Sequence, residues 1–436
     1  MRGEPETNRR PPAFWLDLTT SLRLGASQAN GTLRVEQSCA EALGAPLGPS
    51  LRYCQYLRNR QRFIALPGVP DFAAMRPAAA RPKREKSGLG KFAAGLERNF
   101  RRWRRSAVGG ARLWLDRMTG ADPFGDAAPG DVLLLLGETW GQHDLALLRA
   151  MKRRKNIRIA ALCQDLIPMK LPQFFESAAM VERVRAFGQF LARDADLVFA
   201  ISQATAADIA EQARPLGGVK GRLVTVRLGE DFDLSVKPVR PAALGELAGG
   251  KFALSVSTIQ RRKNFELLYR LWRRFCEATL PDLPKLVIVG GKGFGSEGLL
   301  RQIAEDPVTR GSILLLHQAS DAELAWLYRH CLFTLYPSFY EGWGLPVSES
   351  LAHGKLCLAS DRSSLPEAGQ GLARHLDPAD DDAWAEAIRE LLAHPALIAA
   401  SEETIRAQFR PMTWRQSGEA LAAPLRELLA QPLPAA

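Results

Sequence analysis

The chain has 436 residues, enough for two domains of ordinary size, each with its own core. A composition of 46% hydrophobic and 24% charged residues excludes a disordered or fibrous chain. The formal net charge of +11 fits nucleic acid, an anionic membrane surface or an anionic small molecule, and the distribution of charge along the chain separates these.

Met1–Pro12 is polar and Pro-rich and lacks the apolar stretch of a secretory leader. No run of about 20 apolar residues follows, so the expectation is a cytoplasmic protein, at most peripheral at the inner face of the membrane. Strand candidates in the first half are Phe14–Leu18, Phe63–Leu66, Val132–Leu136, Ile157–Cys163, Leu197–Ile201 and Leu223–Leu228. Helical periodicity appears at Leu33–Leu43, His143–Arg153, Met180–Asp194 and Gln203–Gln212. Pro238–Ala248, rich in Pro, Gly and Ala without a period, reads as an interdomain linker.

The second half alternates more regularly. Strands are expected at Lys251–Ser257, Lys285–Val289, Ser312–Leu316, Leu332–Tyr336 and Leu356–Ala359. Helices are expected at Lys263–Cys276, Ser296–Glu305, Asp321–Tyr328 with Asp321 as cap, and Leu345–His353, stopped by Gly354. Strict alternation implies a parallel sheet covered on both faces, so the predicted class is α/β with two doubly wound, Rossmann-like domains.

One segment breaks the pattern. Between Arg76 and Arg117 thirteen Lys/Arg stand against three acids, which is +10 of the chain's +11. Phe92, Leu96, Phe100, Trp103, Leu113 and Trp114 are interleaved with that charge. Such a basic insertion, spanning 76–125, reads either as a solvated surface loop or as an amphipathic helix lying on an anionic bilayer. No nucleic-acid recognition motif accompanies it, so nucleic acid is not an expected partner. The six cysteines form no C-x-x-C pair and sit mostly in apolar runs, as buried thiols in a reducing compartment do.

The sharpest chemical signal is the segment Tyr336–Ser350, which contains Glu341, Gly342, Gly344, Leu345, Pro346 and Glu349. A strand enters it and a helix leaves it, placing the loop at the carboxyl edge of a parallel sheet, where ligands bind. Gly342 and Gly344 admit a ligand close to the backbone, Pro346 suits a first helical turn, and the free N–H groups of that turn can hold phosphate oxygens. Glu341 and Glu349, eight residues apart, are suited to accepting sugar hydroxyls. A second signal is Ser257–Asn264, where Lys263 stands at an expected helix start and is electrostatically misplaced unless an anion joins it. Gly290-Gly291-Lys292-Gly293 follows a strand, but the acidic residue of a dinucleotide fingerprint is missing.

Glu341-x7-Glu349, with Pro337-Ser338 before it, Gly-Leu-Pro inside it and Ala352-x-Gly354 after it, resembles the signature of retaining glycosyltransferases of family four, which have the two-domain GT-B fold. The resemblance implies domains at 1–240 and 241–415 facing across a cleft, and a C-terminal helix over 416–436 returning to the first. It implies that Glu341 contacts the donor sugar, Glu349 the ribose, and the Gly344 and Leu345 amides the diphosphate. Lys263 matches the family's diphosphate-binding lysine. Ser257-Thr258 stand where many members carry an arginine, which leaves open whether Arg261 or Arg262 substitutes; Thr258 and Arg262 complete the candidate donor set, with Gly291 and His317 bordering the nucleotide. In the first half, Asp17-Leu18-Thr19 and Asn30–Glu36 look like the first strand and glycine loop of a subgroup, making Gly31, Thr32 and Arg34 candidate acceptor or cleft residues. Gln164-Asp165-Leu166-Ile167-Pro168 is similar to an acceptor-side segment, where Asp165 either assists acceptor deprotonation or caps a turn. Ser202 reads as a helix cap and Glu367 as structural.

The function so implied is transfer of a hexose, with mannose the family-level expectation, from a GDP- or UDP-linked donor to a glycan or polyprenyl-diphosphate-linked acceptor, in lipopolysaccharide or related bacterial surface-polysaccharide synthesis. Retention by front-face attack is expected, with Glu341, Lys263 and Asp165 as catalytic residues, no metal and no cofactor. The competing readings are a catalytically inactive protein of the same fold and a nicotinamide-dependent oxidoreductase.

Overall fold

The computed structural model describes residues 10–24, 31–72, 124–230, 234–245 and 251–433. The basic insertion therefore lies almost wholly outside the described residues. Two sheets form two lobes. The first contains β1 (Phe14–Asp17), β2 (Leu51–Leu57), β3 (Arg62–Leu66), β4 (Val132–Leu135), β5 (Arg158–Cys163), β6 (Leu197–Ala200) and β7 (Arg222–Thr225), in the order β3-β2-β1-β4-β5-β6-β7. All neighbours are parallel except the β2–β3 hairpin. The second lobe contains β8 (Phe252–Val256), β9 (Lys285–Val289), β10 (Ile313–Leu316), β11 (Thr334–Tyr336), β12 (Cys357–Ser360) and β13 (Arg374–Leu376), parallel throughout in the order β10-β9-β8-β11-β12-β13. Central strands such as β4 (VLLL) are buried along their whole length, because helices cover both faces of a parallel sheet and leave no solvent side to alternate toward.

The longer helices are α1 (Gly31–Ala42), α2 (Leu145–Lys155), α3 (Ala178–Arg193) and α4 (Gln203–Ala213) in the first lobe. In the second they are α5 (Phe265–Glu277), α6 (Glu297–Glu305), α7 (Asp321–His330), α8 (Leu345–Ala352), α9 (Asp381–Ala393) and α10 (Pro395–Gln408). The last helix, α11 (Trp414–Ala430), buries Leu421, Ala422, Leu425 and Leu428 in the core of the first lobe. The stripe Phe265, Leu268, Leu271, Trp272 and Phe275 expected on α5 is fully buried, and the Trp272 indole donates to the Pro284 carbonyl at 2.9 Å, so no polar atom is stranded there.

Local differences from the sequence reading have local causes. Strand β2 is missed in sequence because LRYCQYL mixes exposed Arg52 with buried Leu51, Cys54 and Tyr56 and keeps no clean period of two. Helix α7 is capped by Ser320 rather than Asp321: Ser320 Oγ accepts from the Glu323 amide while the Glu323 carboxylate accepts from Ser320 N at 2.9 Å, a reciprocal capping box. All six cysteines are free thiols, five of them buried. No described helix is long and apolar enough to cross a membrane.

Side-chain contacts hold the lobes against each other. The Glu367 carboxylate accepts from the Gln203 and Ala204 amides at 2.7 and 2.9 Å, capping α4 from the opposite lobe, while Ser202 Oγ accepts from the Thr205 amide as its own cap. The Tyr340 hydroxyl donates to Asp208 at 2.7 Å. Phe174 and Phe339 stack with centroids 5.5 Å apart. Buried Glu230, on the connection out of β7, accepts from Ser348 Oγ at 2.7 Å and from the Trp343 indole.

Behind the carboxyl end of β1 lies a buried polar cluster. Thr19 Oγ1 donates to Asp17 at 2.5 Å, His143 Nε2 lies 3.0 Å from the other Asp17 oxygen, and the Ser21 amide donates to Glu36 at 2.5 Å. Burial, and then the neighbouring Asp17, pushes the Glu36 carboxyl up to about 8. With the folded pKa above the unfolded 4.5, stability falls as pH rises from 4.5 to about 8, and the penalty of an ionised Glu36 persists above that. Glu36→Gln, which resembles the protonated acid, is expected to raise the melting temperature at pH 8 by at least about 2–4 °C and to change it little at pH 4. Equal shifts at both pH values, read by differential scanning calorimetry, would reject this assignment of the proton.

Candidate active site

In an open parallel sheet the ligand crevice forms where strand order reverses. In the second lobe that point is between β8 and β11, and the loops leaving these two strands carry both principal sequence signals. The β8 loop closes in a single 3₁₀ turn, Arg261–Lys263, and buried Asn264, in the left-handed conformation at φ 57°, joins it to α5. Lys263 thus stands in the turn ahead of the helix, one residue before its cap, rather than in its first turn. Asn264 Nδ2 donates to the Pro378 carbonyl at 2.9 Å and fixes the turn.

From that turn the Lys263 ammonium reaches across to the β11 loop. It donates to Glu341 Oε1 at 2.5 Å and to the Tyr336 hydroxyl at 2.7 Å, and that hydroxyl lies 3.0 Å from the same carboxylate oxygen. Arg262 Nη1 sits 3.0 Å from Glu341 Oε2 and also donates to the Tyr340 carbonyl. Arg262 therefore lies beside Lys263, whereas Arg261 is exposed over the Phe174 ring of the other lobe. Burial favours the neutral carboxyl of Glu341, but the Arg262 and Lys263 charges prevail and hold it down at about 2. Burial, aided by Arg262, lowers the Lys263 ammonium to about 8 against the pull of Glu341. Ser363 and Ser364 fasten the loop from behind, through Glu341 N to Ser363 Oγ at 2.8 Å and Ser364 Oγ to the Glu341 carbonyl at 3.0 Å.

Gly344 follows at φ 115°, a conformation that favours glycine, and an added Cβ would also lie 2.4 Å from Leu365. It delivers Leu345 and Pro346 as the first residues of α8; Pro346 has no N–H, and the Val347 and Ser348 amides turn back to the Gly344 carbonyl at 2.9 and 3.5 Å. Glu349, on the next turn, accepts from the Tyr328 hydroxyl at 2.8 Å. Burial raises its pKa, and Arg34 of the first lobe is close enough to oppose the shift. Thr258 and His317 are exposed on the loops after β8 and β10. The Gly-rich loop runs between them: Gly293 abuts Thr258 and Gly291 faces the His317 carbonyl.

Across the cleft, Gln164 and Asp165 follow the end of β5. The Asp165 carboxylate accepts from the Ile167 amide at 3.1 Å, and burial raises its pKa in spite of nearby Arg262. It thus caps its own turn and also faces the charged centre. Gly31 and Thr32 open helix α1 rather than lying in a loop, and the charge of exposed Arg34 acts on Glu349. Among the described residues no three His, Cys, Asp or Glu side chains converge as a metal site. Sequence reasoning overlooked Glu230, which carries no motif, and gave no role to Tyr336, although it lies inside the main segment.

At Gly342 the second lobe packs closely on the first. A Cβ on this glycine would sit 2.3 Å from the Gln164 carbonyl and 3.2 Å from the Asp165 Cβ. Gly342→Ala must therefore separate the lobes or strain the loop. The expected cost is about 1–3 kcal/mol in urea unfolding, together with weaker nucleotide binding. Wild-type values for both would show that the lobes do not meet there in solution.

Two lobes of this construction, facing across such a crevice, define the GT-B class of fold. Anabaena HepE in complex with UDP and glucose superposes with TM-score 0.58 at 14% identity, over 95% of this chain and 99% of that one. Sucrose-phosphate synthase from Thermosynechococcus elongatus gives 0.60 at 20% identity, over 97% and 100%. Residues 237–408, the span of the second lobe, match the family described as glycosyl transferases group 1. O-antigen chain mannosyltransferase B of Escherichia coli is 30% identical over 169 residues, 39% of this chain and 44% of the relative. The serotype-specific mannosyltransferase WbdA of Escherichia coli is 26% identical over 220 residues, 48% of this chain and 26% of the relative. The alignments span less than half the length of either relative.

Proposed function

We propose that the protein is a retaining hexosyltransferase of bacterial surface-polysaccharide synthesis, acting at the cytoplasmic face of the membrane. Its donor is a GDP- or UDP-linked hexose, with mannose the first candidate from the names of its relatives. Its acceptor is a glycan or a polyprenyl-diphosphate-linked glycan. One observation carries this reading: Lys263, Arg262 and Glu341 meet beside the start of α8, in the crevice at the switch point of the second sheet.

In that recess Lys263, Arg262 and the amides of Gly344 and Leu345 take the donor diphosphate and stabilise it as it leaves. As the cations turn to the diphosphate, Glu341 is released to accept a hydroxyl of the sugar, and Glu349 accepts from the ribose. Gly291, Thr258 and His317 border the nucleotide. Asp165, on the opposite wall, orients the acceptor hydroxyl, with Arg34, Gly31 and Thr32 on the acceptor side. The leaving diphosphate lies beside the incoming hydroxyl and receives its proton, which gives retention without a covalent intermediate.

The test is a thermal-shift panel of UDP, GDP and NAD, followed by transfer from the matching nucleotide-hexose. Stabilisation by one nucleoside diphosphate names the base. A shift with NAD alone would replace this reading with the oxidoreductase one, and nucleotide binding without transfer to any glycan acceptor would favour a binding protein. The basic insertion is proposed to hold the enzyme on anionic lipid. Deleting 76–117 should release it from phosphatidylglycerol vesicles, and undiminished binding would discard that role.

A further inference from the structure

We propose a second anion site, for a phosphate or diphosphate group, at the amino edge of the first sheet, on the side of the lobe opposite the cleft. The strands β5, β6 and β7 begin there with Arg158, Leu197 and Arg222, while the same β5 ends at Cys163 and leads to Gln164 and Asp165 on the cleft side. A cavity of about 460 Å³ opens at this edge, lined in part by Leu428 of α11 and by Gln431 and Pro432 just after that helix, and its lining includes five cations and one acid. That volume lies within the usual range of small-ligand pockets, roughly 300–1,000 Å³.

Three of the cations are already committed. Buried Arg158 donates to the carbonyls of Gln431 and Pro432, at 2.5 and 2.9 Å. Lys152 bonds Asp196 and the Asp194 carbonyl, both at 2.7 Å, and the same Asp196 accepts from the Ile159 amide, so the one acid of the lining is fully used. Arg222 is paired with Glu427. Arg193 and Lys220 remain, both exposed and without a side-chain partner among the described residues. Arg193 ends α3 and complements that helix's dipole, but Lys220 stands in the turn before β7 and has no such function. Uncompensated like charges around one cavity repel each other, and an anion between them removes the repulsion. A compact, multiply charged oxyanion that accepts from both an ammonium and a guanidinium suits this opening. Phosphate groups meet that description, whether on a free nucleotide or sugar or on a lipid. The inference rests on this edge of the first lobe alone and stands whatever the cleft transfers.

The test uses the full chain and the double variant Arg193→Glu, Lys220→Glu, with Arg193→Gln, Lys220→Gln as the milder pair. Inorganic pyrophosphate is titrated calorimetrically with the cleft saturated by whichever nucleoside diphosphate stabilises the protein. Flotation on phosphatidylglycerol vesicles is measured in parallel. Pyrophosphate binding at least about tenfold weaker in the Glu pair, and intermediate in the Gln pair, with an unchanged thermal shift by the nucleotide, supports the site and a soluble ligand. Loss of vesicle binding with the same graded order supports it with a lipid phosphate as the source. Wild-type pyrophosphate and vesicle binding in both pairs overturns it.

Discussion

Lys263→Ala is expected to lower the rate of glycosyl transfer by about 10²–10³, the usual cost of removing one preorganised charge aimed at a developing anion. The side chain is committed to Glu341 and Tyr336, at 2.5 and 2.7 Å, so binding the donor exchanges one anion for another. Its lowered pKa of about 8 gives this residue a pH signature. Nucleoside diphosphate affinity should fall as pH rises through about 8, because the neutral amine no longer attracts phosphate. Stability should respond in the opposite sense. The folded pKa lies below the unfolded 10.5, so the charged amine burdens the fold below pH 8 and the burden is relieved between about 8 and 10.5. Lys263→Arg should flatten the affinity profile, since a guanidinium stays protonated throughout. Titrations from pH 6.5 to 9.5 decide the matter: an affinity that does not change with pH in the wild type removes Lys263 from the phosphate site.

Glu341→Gln is expected to affect both stability and turnover. The substitution leaves Arg262 and Lys263 largely buried without their counter-charge, and breaking a buried pair from one side costs about 3–5 kcal/mol. A nucleoside diphosphate supplies the missing anion, so it should raise the melting temperature of the variant by more than that of the wild type. Transfer should still fall by about 10² or more, because the amide cannot accept the sugar hydroxyl as the carboxylate does. The pH response is also fixed in sign. The folded pKa of about 2 lies below the unfolded 4.5, so the stabilisation is present above 4.5 and lost as pH falls toward 2. The variant should lack that acid-labile portion. A ligand shift no larger than the wild type's would show that Glu341 and the diphosphate do not share the two cations.

The candidate site was only partly legible in the sequence. Lys263 was suspect because a cation near a helix start lacks a reason unless an anion joins it, and the glycines around Glu341 marked a loop built for close approach. Tyr336 could not be weighed without knowing that the ends of β8 and β11 are neighbours, which brings its hydroxyl between Lys263 and Glu341. Glu230 had no local pattern at all, and its meaning comes from Trp343 and Ser348, more than a hundred residues away. The choice between Arg261 and Arg262 was equally closed to sequence. Adjacent residues on a tight turn project in different directions, and the turn sends Arg262 to Glu341 and Arg261 over Phe174.

The sequence by itself determined the alternation of strands and helices, the parallel sheets and the identity of the two principal loops, because these depend on periodicity and on residues within a few positions of one another. Tertiary structure alone decided which cations Glu341 holds, how closely Gly342 meets Gln164, how Glu36 comes to be an acid of raised pKa beside Asp17, and that Arg193 and Lys220 rim one cavity. Those properties depend on distance and burial between segments remote in the chain, and electrostatic energies vary too steeply with both for a linear pattern to encode them.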